Sequence, residues 1–126
     1  GQLMDSDALS NAALAPVGEM FVEPPLPIIV HIPCVVASLI DGESPWVDVL
    51  ERPRYTIEAW AESRREAQLL AQSAITELVA AWRSQQTLAG ASLNFVRVNS
   101  RPVPVDSGIK GVYRSLGTVT LSIRPA

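Results

Sequence analysis

The chain is poor in the residues from which most catalytic and metal centres are built: it holds one cysteine, Cys34, and one histidine, His31. A lone cysteine forms no intramolecular disulfide, so the chain suits a reducing compartment. One Cys and one His also fall short of the several closely spaced ligands a zinc site needs. A Ser/His/Asp or Cys/His nucleophilic group would have to be built on His31, which lies in a Pro-bounded apolar run. There the expected state is a core or partly buried imidazole with one nitrogen hydrogen-bonded. Neither a GxxxxGK[ST] loop nor a GxGxxG turn occurs, and Gly108 and Gly111, bracketing Ile109 and Lys110, read as turn chemistry. Glu58 and Glu62 straddle a strand-to-helix junction, and Asp48 and Glu51 flank a strand end, so neither pair makes a case for two-carboxylate catalysis. No run of about eighteen apolar residues is present to span a bilayer, and the opening GQLMDSDALS lacks the basic-then-apolar order of a secretory signal. A soluble chain without export signal is expected. Aromatics make up only 6% of residues, and Trp46, Trp60 and Trp82 read as large core or interface residues. No catalytic, cofactor-binding or metal-binding residue is assigned, no cofactor is expected, and the chain is read as a protein that is not an enzyme.

Positive charge is missing from a whole stretch. Residues 1–51 contain no Lys or Arg, yet hold Asp5, Asp7, Glu19, Glu23, Asp41, Glu43, Asp48 and Glu51. Residues 97–126 are the reverse, with Arg97, Arg101, Lys110, Arg114 and Arg124 against Asp106. The net charge of -3 argues against electrostatic nucleic-acid binding as the main business of the chain. The basic residues near the end alternate with aliphatic residues rather than stacking aromatics, which gives base recognition little support. Two readings of the asymmetry stand side by side. Either the two ends neutralise each other within the fold, or they form complementary surfaces through which copies attract head to tail, closing rings or running on as filaments. On the second reading Arg97, Arg101, Lys110, Arg114, Asp41, Glu43 and Asp48 are the candidate interaction residues.

With 126 residues, 48% of them hydrophobic, the chain is sized for a single domain over 1–126 with a real core. Its clearest unit is Pro53 to Arg83. Tyr55, Ile57 and Ala59 alternate with Thr56, Glu58 and Trp60, the period of a strand with one face on a core, here placed at an exposed edge. The period then changes: Ser63 followed by Glu66 is a capping box. Ala67, Leu70, Ala71, Ala74, Ile75, Leu78 and Trp82 form one stripe of a long helix, with Arg64, Arg65, Gln68, Gln72, Thr76 and Arg83 on the wet face. Asp7 to Ala15 reads as a short N-terminal helix stopped by Pro16. Ile28 to Ile32, hemmed in by prolines, is at best a short edge strand. Asp41 to Pro45 reads as a turn folding Val35–Ile40 against Trp46–Leu50. Leu93 to Val98 is a strand, Asn99 to Gly111 a long loop, and Tyr113 to Ile123 a closing strand with a polar face. The expected fold is α+β: a mostly antiparallel sheet, one long amphipathic helix packed across it, and the short N-terminal helix.

Pro53, Arg54, Glu58, Trp60 and Ala61 form a PR-x-x-x-E-x-W-A strand, and Glu66, Ala67, Leu70 and Ala71 follow it as x-E-A-x-x-L-A at a helix start. With the Val103 to Gly108 loop and the Tyr113 to Ile123 strand, this order resembles the tail terminator proteins of long-tailed, siphovirus-type bacteriophages, over about two thirds of the chain. The resemblance implies a structural virion protein. In that family a homohexameric ring caps the head-proximal end of the tail tube, stops its polymerisation and offers the head-tail joining surface. The partners implied are further copies of the chain, the major tail tube protein and a head-tail connector or head-completion protein. Genome DNA would pass through the lumen without specific recognition, and no membrane is involved. The location implied is the virion tail, after assembly in the host cytoplasm. The loop would point to the lumen or the tube. The alternatives are another head-tail connector or completion protein, expected to be mainly helical or mainly β, and a small-molecule-binding α+β domain with a deep polar pocket.

Overall fold

The computed structural model describes residues 20–21, 24, 26–28, 31–46, 50–84, 87–88 and 91–125. In chain order the elements are β1 (Met20–Phe21), β2 (Cys34–Trp46), β3 (Leu50–Ala61), α1 (Arg64–Arg83), β4 (Thr87–Leu88), β5 (Ala91–Val105) and β6 (Tyr113–Pro125). One sheet runs β1-β2-β3-β6-β5-β4. The four long strands pair antiparallel, and β1 lies parallel to β2 through Met20↔Val35 and Phe21↔Val36. The α+β architecture with a largely antiparallel sheet and one long helix is as the sequence pattern implies. The expected helix at Asp7–Ala15 lies outside the described residues.

β3 ends at Ala61, and Ser63 caps the start of α1. Its backbone is extended, its hydroxyl accepts from the Glu66 amide at 3.1 Å, and its carbonyl accepts from the Ala67 amide at 3.0 Å. The first bond satisfies an amide that the helix start would otherwise orphan, and the second is the first regular bond of the helix. The buried stripe is Ala67, Ala71, Ala74, Ile75, Leu78 and Ala81. It packs on the inner face of β5, β6 and β3, against Tyr55, Ile57, Ala59, Leu93, Val96, Val119, Leu121 and Ile123. Small alanines let the helix backbone approach the sheet, while the sheet supplies the large side chains. The helix barely reaches β2. At the ends of the row Leu39–Tyr55–Val119–Val98, Leu39 stays 53% exposed and Val98 41%, while Tyr55 and Val119 are fully buried.

Several expectations are corrected. β3 is not an edge strand: it lies between β2 and β6, so both its rows of backbone groups are used. Asp41–Pro45 is not a turn. β2 continues to Trp46, with Asp41↔Arg54, Gly42↔Pro53 and Glu43↔Arg52 in register. Shifts between Leu39 and Asp41 and between Glu43 and Trp46 take up the residues that favour turns. Among the described residues of the expected Ile28–Ile32 strand, Ile28, His31 and Ile32 are not in a strand: the His31 amide donates to the Ile28 carbonyl at 2.9 Å, and Ile28 and Ile32 instead join a second core. Asn99–Val105 is strand rather than loop, pairing with β6 as far as Val105↔Arg114. Among the described residues β5 is paired on its other side only at Ala91 and Ser92. Pro102 and Pro104 are therefore tolerated, because a strand paired on one side needs only half its donors. The connection shrinks to residues 106–112.

Gln68 is also not on the wet face. Its Nε2 donates to the Pro102 carbonyl at 2.8 Å, and its Oε1 accepts from the fully buried Ser115 hydroxyl at 3.0 Å. One side chain thus ties the first turns of α1 to β5 and β6. The same irregular stretch of β5 presses on Gly117. A Cβ there would lie 3.1 Å from the Ser100 carbonyl oxygen, 3.2 Å from the Pro102 nitrogen and 3.3 Å from Ile75 Cδ1. Two of those neighbours are backbone, which cannot step aside cheaply. Gly117→Ala and Gln68→Leu are each expected to lower stability by about 1–3 kcal/mol, the first through crowding and the second through orphaned buried groups. Urea unfolding checks both, as a fall in midpoint at unchanged slope.

Candidate interaction surfaces

The outer face of the sheet, away from α1, divides into two zones. At one end Ile28, Cys34, Val36, Trp60 and Val112 form the second buried core, with Ile32 packed against it. Trp60 is the large apolar residue of this zone and lies in register with Cys34 and Arg114. The Arg114 guanidinium carbon sits 5.1 Å from the Trp60 ring centroid, and Arg114 Nη1 approaches Glu58 Oε2 at 3.4 Å. Stacking on indole and pairing with a carboxylate both suit a planar guanidinium.

The other zone is open and hydroxylic. Ser38, Thr56, Thr118 and Ser100 share one cross-strand row, with Thr118 Oγ1 and Ser100 Oγ 2.9 Å apart and the Thr56 hydroxyl donating to the Ser38 carbonyl at 3.4 Å. The next row is Asp41, Arg54, Thr120 and Arg97. Arg54 meets Asp41 through two bonds, Nε to Oδ1 at 2.9 Å and Nη2 to Oδ2 at 2.5 Å, with the side chains 46% and 56% exposed.

The β5–β6 loop, 106–112, borders the second core. Asp106 Oδ1 accepts from the Gly108 amide at 2.9 Å, and the Ser107 oxygen accepts from the Ile109 amide at 3.1 Å. Gly108 and Gly111 have φ of 76° and 79°, the left-handed conformation that glycine adopts without penalty. Beside the loop lies a half-open cleft of about 450 Å³, bordered by Arg64, Asp106, Ser107, Ile109, Tyr113 and Arg114.

The sequence-derived interaction residues therefore do not form one patch. Asp41 and Arg97 share a row, but Asp41 is engaged by Arg54. Arg101 is exposed in the irregular stretch of β5, Lys110 in the loop, and Arg114 is half-buried and engaged by Glu58. Glu43 lies on β2 in register with Arg52, near the β2–β3 connection, and Asp48 lies outside the described residues. Along the strand direction Glu43 thus lies toward one end of the sheet and Lys110 and Arg114 at the other. Arg54 and Glu58 were missed as charge partners because their mates are 13 and 56 residues away in sequence. Among the described residues no group of three His, Cys, Asp or Glu could hold a metal ion, and no helix is long and apolar enough to cross a membrane.

The two ion pairs differ in burial, and that difference orders their energetics. Removing Asp41 from the exposed pair is expected to cost less than about 1 kcal/mol. Glu58→Ala leaves a guanidinium only 28% exposed without its acceptor, which is expected to cost about 1–3 kcal/mol. Parallel urea titrations of Asp41→Ala and Glu58→Ala check the order.

No family model matches the chain, and no curated protein matches it. Among solved structures it is similar to a chain in the virion of a native gene transfer agent (GTA) particle, with 14% identity over 94% of this chain and 87% of that one and a TM-score of 0.47. A likeness at that level leaves the role of this chain to be argued from its own residues.

Proposed function

We propose that this chain is a structural protein of a phage-type virion, a tail terminator whose copies close into a hexameric ring on the head-proximal end of the tail tube. The ring buries the surface on which the next tube ring would assemble, so polymerisation stops, and its opposite face receives the head connector. No covalent step is involved and no cofactor is used.

The observation that carries this reading is the open margin of the sheet. Among the described residues β2 beyond Val36 and β5 beyond Ser92 have no strand on their outer sides. Exposed apolar residues run along both, Leu39 and Ile40 on one and Phe95, Val98 and Val103 on the other. Unpaired strand edges with apolar side chains are surfaces that another chain can complete. The residues that carry the terminator resemblance also fit the fold: Pro53, Arg54, Glu58, Trp60 and Ala61 lie on the central strand β3, and Glu66, Ala67, Leu70 and Ala71 on the first turns of α1. The displacement of Lys110 and Arg114 from Glu43 along the strands suits contacts between stacked rings.

Negative-stain imaging of the purified chain is expected to show rings with a central hole. Phage lacking the protein should carry abnormally long tails that fail to join heads. A strict monomer at high concentration and low salt, together with normal tails in its absence, would overturn the proposal. Because 99–105 is strand, the contact made by the loop is tested by replacing Ser107–Gly111 with Asn-Gly. Tails of irregular length are expected, and a normal phage yield would exclude the loop from tube contact.

A further inference from the structure

We infer that the hydroxylic zone of the outer sheet face holds a binding site for phosphate groups, centred on Arg97. The site is complete within one copy of the chain and does not depend on the ring. Between β3, β6 and β5 lies a half-open cleft of about 510 Å³ lined by Arg52, Asn94, Phe95, Arg97, Thr120 and Ser122. Among the described residues every polar side chain in that lining carries an N–H or O–H donor, and no carboxylate is among them. A cavity of donors without a competing acid selects for an anion.

The cations nearby differ in availability. Arg54, in the same row as Arg97, is held by Asp41 through two bonds, and Arg114 is held by Glu58. Arg52 has a partner of its own. Arg97 is exposed and makes no ion pair among the described residues. Its fork of donors matches two phosphate oxygens at once, which a carboxylate-free cleft leaves it free to do. Thr120 is primed in the same sense. Its Oγ1 accepts from Asn99 Nδ2 at 2.6 Å, so a lone pair is occupied and its own hydrogen is left to donate elsewhere.

Phe95 borders the cleft at the open margin of β5. The ring is 43% exposed and is held edge-on by Trp82, with centroids 5.3 Å apart and planes at 72°. Trp82 belongs to α1 on the inner face, so the ring is engaged from that side, and the outer-face site is carried by Arg97, Thr120 and the neighbouring donors. The chemistry recognised is the phosphate group itself, and the two probes below separate a phosphodiester strand from a free anion. With a net charge of -3 the attraction is local, so binding belongs to low or moderate salt.

The test uses the full chain and two probes: a short fluorescent oligothymidylate followed by anisotropy, and inorganic phosphate followed by NMR at the Arg97 Nε–Hε. Arg97→Ala is expected to weaken oligonucleotide binding about tenfold and to lower the slope of log affinity against log salt by about 0.7, one backbone contact on a single strand. Arg97→Lys should keep part of the affinity, and Arg101→Ala, on the same strand outside the cleft, should stay within about twofold of wild type. Circular dichroism of each variant verifies the fold. A response to the oligonucleotide alone identifies a nucleic-acid strand as the ligand, and a response to inorganic phosphate alone identifies the small anion. Either supports the site. No response to either probe at low salt, an Arg97→Ala affinity equal to wild type, or an equal loss in Arg101→Ala would overturn it.

Discussion

The packing of α1 on β3, β6 and β5 is the constraint from which the other features descend. A stripe of Ala67, Ala71, Ala74 and Ala81 brings the helix axis close, and Tyr55, Ile57, Leu121 and Ile123 fill the space between. Burying apolar side chains of this size contributes about 1.5–3 kcal/mol each. Such burial fixes the sheet register, since a slip by one residue would turn every inward side chain outward. Once the inner face is committed to the helix, the outer face must display whatever alternates with it: Thr56, Thr118, Thr120, Arg54 and Arg97 at one end, Cys34, Val36 and Trp60 at the other. The two outer zones are thus a direct product of the pairing register.

Much of the central unit was legible in the sequence, because local patterns and long-range packing agree there. The alternation at Tyr55, Ile57 and Ala59, the Ser63 cap and the three-and-four spacing from Ala67 to Leu78 all appear where the pattern puts them. The misreadings share a cause. Asp41, Gly42 and Pro45 favour turns taken alone, as Pro102 and Pro104 favour loops, but propensity states only what a segment tolerates. β3 and β6 offered partners, and register shifts absorbed the misfit. Gln68 was misplaced for a different reason. Helical periodicity marks it as polar and outward, and nothing local announces that a bulging strand 34 residues on will bring a carbonyl to it.

The charged surfaces were legible in composition and illegible in arrangement. The excess of acid before residue 52 and of base after residue 96 is plain from the sequence. What it could not reveal is that Asp41 and Arg114 are each engaged by residues of β3, Arg54 and Glu58. These pairings support neutralisation within the fold for those two groups and leave Arg97 and Arg101 as the outward-facing cations of β5. Surface chemistry here depends on which charges the central strand takes up.

The prolines of β5 bear on this as well. Pro102 and Pro104 remove amides from one half of that margin, and Ser92 to Val98 keeps all of its own. An incoming segment could therefore zip along the first half and would stall at the second, so growth of the sheet by indiscriminate stacking is curtailed while a short, registered join stays open. The strand carries its own stop signal against fibril formation.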